Sequence, residues 1–127
     1  MLKNYHAESV ALSVKPNGLQ TGMNSGYQAI NLAVLLGVTT IVLLGFDMKP
    51  ARDGKMHWFG DHPLKTNPAV FSAMLQHFPK TLSPLRQLGV EVINCTPDSA
   101  LTCYRKEGLD ETLACLVADQ ETTALPA

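Results

Sequence analysis

Residues 21–63, TGMNSGYQAINLAVLLGVTTIVLLGFDMKPARDGKMHWFGDHP, decide how the chain reads. Thr21 to Gly26 places two glycines beside Asn24 and Ser25, side chains that accept hydrogen bonds from the free amides opening a helix. The helix is predicted to begin near Ser25 and to run through the apolar residues Tyr27 to Leu36. Gly37 stands where helices commonly end in a left-handed residue. Thr40 to Leu44 is a β-branched apolar run between Gly37 and Gly45, which predicts a strand buried on both faces, as in a parallel sheet. Asp47 follows that strand's carboxyl end, the edge at which open α/β sheets hold ligands. The polar loop from Met48 to Asn67 carries Asp53, His57, Trp58, Asp61 and His62. At roughly twenty residues it exceeds an ordinary connection, and loops of that length tend to be functional.

Working outward, Ser9 to Val14 leans towards β structure, and Lys15-Pro16-Asn17-Gly18 closes it with turn residues. Asn67-Pro68 caps a helix from Ala69 to Phe78 whose Val70, Phe71, Met74, Leu75 and Phe78 share one face. Pro79 and Pro84 should break that helix before it reaches Leu88. Val90 to Asn94 is a further strand, and the small polar residues Asn94 to Ser99 are expected to face the ligand edge. Leu109 to Ala118 has helical spacing, with Leu109, Leu113, Leu116 and Val117 on one side. Residues 119–127 read as a disordered tail.

The order predicts one α/β domain over residues 1–118, in three layers, with right-handed crossovers and a small, mainly parallel sheet. A chain of 127 residues suits one domain. So small a sheet gives a long apolar helix little cover, so either self-association or a longer parent protein is expected.

Charge and composition narrow the function. Ten basic against eleven acidic residues give a net charge of −1 with no basic run, and aromatics make up 6%, so nothing recommends nucleic acid as a partner. Cys95, Cys103 and Cys115 are odd in number and lack zinc-type spacing, which fits reduced thiols in a cytoplasmic protein. The first residues carry no secretory h-region. Gln28 to Phe46 has no charge, but Gly37, Thr39 and Thr40 divide it into a helix and a strand rather than a membrane span.

Several motifs fall together: Asn24 to Ala33, Gly37, Ile41 to Met48, His57 to Pro63, and Asn94-Cys95-Thr96-Pro97 followed by Ser99-Ala100-Leu101. As a set, over Gly22 to about Leu113, they resemble uncharacterised phage and prophage proteins with a Rossmann-like core. The small-residue turn, helix, and strand ending in Gly45-Phe46-Asp47 also resemble bacterial sialyltransferases that use CMP-linked sugars. They are similar, too, to a pterin pyrophosphokinase-like family. The resemblance implies a Rossmann-like chain that forms the C-terminal part of a larger sialyltransferase-like fold. It places Gly22, Asn24, Ser25, Gly45 and Asp47 around a nucleotide or nucleotide-sugar. Relatives of this type have a further amino-terminal α/β segment that holds part of the nucleotide, so the site on this chain is expected to be incomplete.

Each candidate has two accounts. The turn at Gly22 to Gly26 suits a phosphate, since free amides and the helix dipole favour an anion there, while helix capping explains the same residues. A carboxylate at Asp47 must be solvated, paired or used, by ribose, a metal ion or an amine; it also suits a turn. His57, Asp61 and His62 are candidate catalytic residues, as an acid/base group or a divalent-ion site, or else surface residues of a loop anchored by Trp58 and Phe59. The function expected is nucleotide-sugar transfer with His57 or His62 as base. The alternatives are Mg²⁺-dependent diphosphate transfer through Asp47 and Asp61, or a non-catalytic module acting through self-association or a partner protein.

Overall fold

In the computed structural model the described residues are 3–5, 11–56 and 67–124. The chain is mixed α/β. Strands β1 (Lys3–Tyr5) and β2 (Gly18–Gln20) form a parallel pair, and β3 (Thr40–Leu43), β4 (Glu91–Asn94) and β5 (Arg105–Lys106) form a parallel sheet in the order β3-β4-β5. The helices are α1 (Ser25–Leu35), α2 (Ala69–Leu75), α3 (Leu82–Gln87) and α4 (Leu109–Ala124).

Helix α1 begins and ends where the sequence places it. Asn24 caps it with its side chain, and Gly37 takes φ +78° just beyond its end. The second helical region is broken as the prolines require, into α2, a 3₁₀ turn (Phe78–Thr81) and α3. That break drives Phe78, wholly buried, into the centre of the core. Its ring lies edge-to-face between Tyr27 (5.4 Å) and Tyr104 (6.3 Å), and Leu12, Ile30, Leu43, Leu85, Val92 and Leu101 complete the cluster.

Three expectations need correction. Ala11 to Val14 form no strand, and Ser9 and Val10 lie outside the described residues. The backbone of Ser13 is instead claimed by a side chain: buried Asn31 of α1 accepts the Ser13 and Gln20 amides, each at 2.9 Å, and donates to the Ser13 carbonyl at 2.8 Å. The strand over 40–43 is only partly buried, and Leu44 is 57% exposed, because β3 is an edge strand and β4 lies in the middle. Helix α4 continues past Ala118 to Ala124, into the stretch expected to be a tail. Its apolar side is not covered: Leu109, Leu113 and Val117 are exposed, while Thr112 is the buried contact. Three short strands, β1, β2 and β5, had no periodicity long enough to announce them.

Burial raises the Tyr27 phenol to about 12, and burial also raises Tyr104, against the lowering effect of its hydrogen bond with Thr81. A folded pKa above the unfolded value means that the unfolded chain gives up these protons first as pH rises. Stability from both phenols is therefore complete below pH ~10 and is lost as the pH climbs through the folded values. Urea midpoints measured from pH 8 to 11.5 should be flat at first and then fall above about pH 10. The fall should be smaller in Tyr104→Phe than in the parent.

Candidate functional site

The carboxyl ends of β3 and β4 are tied together by short polar side chains. The Phe46 amide donates to Thr96 Oγ1 at 2.9 Å, the Ser99 hydroxyl donates to the Phe46 carbonyl, and the Ala100 amide donates to the Asp47 carbonyl at 2.8 Å. Asn94 organises this lacing from beneath. Its Nδ2 donates to Ser99 Oγ and to the Leu101 carbonyl, both at 3.0 Å, and its Oδ1 accepts the Thr96 amide at 3.0 Å. Asn94, Thr96 and Ser99 are all buried. They hold the two loops in register, and Asn94 and Thr96 also line a cleft of ≈ 600 Å³ at this end of the sheet, with Pro97 and Asp98, as expected of the ligand edge.

On this support sits a cleft of ≈ 560 Å³ between the start of α1 and the loop after β3, bordered by α2 through Phe71 and Met74. Asn24, Ser25, Gly45 and Asp47 all line it, so four of the five residues expected around a nucleotide do converge. Gly26 makes this possible: a Cβ there would stand 2.7 Å from the Phe46 ring, so only glycine lets the helix start approach the strand end so closely. Gly22 has a different role. It holds φ +48°, and a Cβ would lie 2.2 Å from Tyr27 Cγ, so it is packed against the core rather than set at the cleft.

Asn24 is engaged within the turn. Its Oδ1 accepts the Tyr27 amide at 2.8 Å and its Nδ2 donates to the Gly22 carbonyl at 3.0 Å. Anion binding at this end of α1 is thus left to the earlier backbone amides and the exposed Ser25 hydroxyl. Gly45 has φ +72° and open space where a Cβ would be, so its glycine answers to the backbone alone. Asp47 is exposed and also borders a second cleft of ≈ 500 Å³. His57, Asp61 and His62 lie outside the described residues, as do Trp58 and Phe59. Among the described residues, no group of three or more His, Cys, Asp or Glu side chains is placed to hold a metal ion.

Sequence reading missed the second cleft. Lys49, Arg52, Asp53, Lys55 and Asp98 line it, with Lys49 Nζ 2.7 Å from Asp98 and Lys55 Nζ 2.7 Å from Asp53. The Lys49 ammonium, with Arg52 and Lys106 farther away, holds the Asp98 carboxyl below the usual carboxylate range, and Lys55 does the same for Asp53. A usable signal existed: Asp98 follows β4 much as Asp47 follows β3. Met23, Met48 and Asp98 are the non-glycine residues with left-handed φ among those described, at 65°, 54° and 54°. All three flank these clefts in sequence, which is where backbone strain tends to gather around function.

The thiols are free and dispersed. Cys95 is buried against the Thr112 hydroxyl at 3.3 Å, Cys115 is exposed, and burial pushes the half-buried Cys103 up to about 11. Among the described residues no helix is long and apolar enough to cross a membrane. Compared with protein-family models, curated proteins and solved structures, the chain has no match.

Proposed function

We propose that this chain is a Rossmann-like nucleotide or nucleotide-sugar binding domain of glycosyltransferase type, with its ligand in the cleft between α1 and the end of β3. One observation carries the reading: the amino end of α1 and the carboxyl end of β3 meet at one cleft, with Asp47 on its border. That is where parallel α/β sheets offer helix amides to a phosphate and a carboxylate to ribose or sugar hydroxyls. The resemblance of the turn at 21–26, the helix that follows and the strand end Gly45-Phe46-Asp47 to sialyltransferases supports the same assignment. The roles of His57, Asp61 and His62 in transfer rest on sequence alone. A His57→Ala/His62→Ala pair should abolish transfer, and full retained activity removes both as bases.

The test is calorimetric titration with CMP, CDP, UDP, GDP and ATP, with and without Mg²⁺, repeated on Asp47→Ala. One nucleotide should bind saturably, and Asp47→Ala should weaken it by at least about tenfold, the loss of one charge-assisted hydrogen bond. Equal binding by the variant overturns the role of Asp47. Binding that requires Mg²⁺ favours diphosphate transfer through Asp47 and Asp61 over sugar transfer.

A second reading, a non-catalytic module that self-associates, is favoured by the outer edge of β3. The bonds Glu91 N to Thr39 O and Cys95 N to Leu43 O show that odd-numbered residues face β4, so Thr40 and Val42 present their backbone outward. No charged residue guards this edge. Leu32 and Leu36 of the neighbouring helix and its cap are also exposed, Leu36 at 73%. On this reading the chain sediments as a dimer, and Thr40→Lys/Leu36→Lys makes it monomeric. A parent chain that is monomeric at high micromolar concentration removes the reading.

A further inference from the structure

At the groove beyond Asp47, three cations lie near one carboxylate, that of Asp98. Asp53 is matched by Lys55 at 2.7 Å, and Arg105 is shared between Glu91 at 3.2 Å and Glu107 at 3.1 Å. Lys49 and Arg52 line this groove together with Asp98 and Asp47, and Lys106 lies outside its lining, bordering a neighbouring cleft that Asp98 shares. Arg52 forms no ion pair among the described residues, and Lys106 donates to the Ser99 carbonyl.

The Lys49–Asp98 contact is short, yet its side chains are 38% and 71% exposed. Pairs this open contribute little to stability, so exchanging one partner costs the fold little. Asp98 is also presented outward, on a left-handed backbone that Asp tolerates and most residues do not. A phosphate group brings more charge and more acceptor oxygens than a carboxylate does to the same three cations.

We propose that Lys49, Arg52 and Lys106 form an oxyanion subsite beside Asp47, filled in the free chain by the Asp98 carboxylate and taken over by a phosphate of the bound ligand. The inference rests on the nucleotide reading of the adjoining cleft and extends it. The ligand class becomes one with hydroxyls for Asp47 and a terminal phosphate or diphosphate beyond it. Asp98 then acts as a resident competitor that the ligand must displace.

Inorganic pyrophosphate is the probe, titrated calorimetrically at low salt, with thermal unfolding of each variant as a check on folding. Lys49→Ala/Arg52→Ala should weaken binding at least about tenfold. Asp98→Asn, whose asparagine keeps the left-handed backbone, should strengthen it at least about threefold by removing the competitor. A purely structural Asp98 predicts no gain. Equal or weaker binding by Asp98→Asn overturns the proposal. So does an equal loss in the remote surface variant Lys80→Ala/Arg86→Ala, and so does absence of pyrophosphate binding in both the parent and Asp98→Asn. Nucleotide binding that needs Asp47 yet ignores Lys49→Ala/Arg52→Ala removes the subsite and leaves the nucleotide reading intact. Pyrophosphate binding sensitive to Asp98, with no nucleotide bound, sustains the subsite and removes the nucleotide.

Discussion

Asn31→Leu is expected to destabilise the fold by about 4 kcal/mol, a large share of what a domain of this size possesses. The leucine fits the apolar helix, and hydropathy alone would welcome it. Its effect lies in what it abandons: the Ser13 amide, the Ser13 carbonyl and the Gln20 amide lose the partner that buried Asn31 provides. Each buried polar group left unsatisfied costs about 1–3 kcal/mol. Urea unfolding measures the loss directly, and a loss below about 1 kcal/mol means that water or a rearranged turn replaces Asn31. Leucine also leaves the shape of α1 intact, so helix content should survive while the segment before β2 loosens.

The second large effect is at Gly22. Gly22→Ala combines a left-handed backbone with a methyl set 2.2 Å from one Tyr27 ring atom and 2.3 Å from the next. Tyr27 cannot simply retreat, because its ring packs on Phe78 and His77 and its hydroxyl donates to the Ala11 carbonyl. We expect about 3 kcal/mol lost, from backbone strain together with overpacking. The result separates the two accounts of this glycine. A ligand role predicts a stable variant that no longer binds nucleotide. A packing role predicts an unstable variant whose residual folded fraction still binds.

The contrast between these two residues and Asp47 indicates what the sequence makes legible. Helix α1, the proline-broken segment and strands β3 and β4 follow from local patterns, because capping, proline geometry and β-branched runs act over a few residues. The convergence of Asn24, Ser25, Gly45 and Asp47 was legible for the same reason: it follows from one helix start and one strand end. Asn31 was not, since a lone amide in an apolar helix reveals nothing about the distant amides it will take. Asn94, Thr96 and Ser99 were legible in part: Asn94 and Thr96 line a cleft as expected, while the lacing they form was not announced, because small polar residues after a strand can do either. The second cleft was hidden because Lys49 and Asp98 are far apart in sequence and meet only because β3 and β4 are neighbours.

The lacing at the end of the sheet has a further consequence, for the moment at which the cleft comes into being. Phe46 is fixed by Thr96 and Ser99, contacts that span 50 and 53 positions of the chain. As the protein is synthesised, α1, β3 and Asp47 emerge first and have nothing to hold the loop that carries them. Only when Asn94 to Ala100 arrive does that loop acquire its shape, and contacts of such separation form late in folding. The cleft is therefore among the last features to mature, and a ligand can reward only chains that have already closed it. The closed cleft is then itself a record that folding has finished.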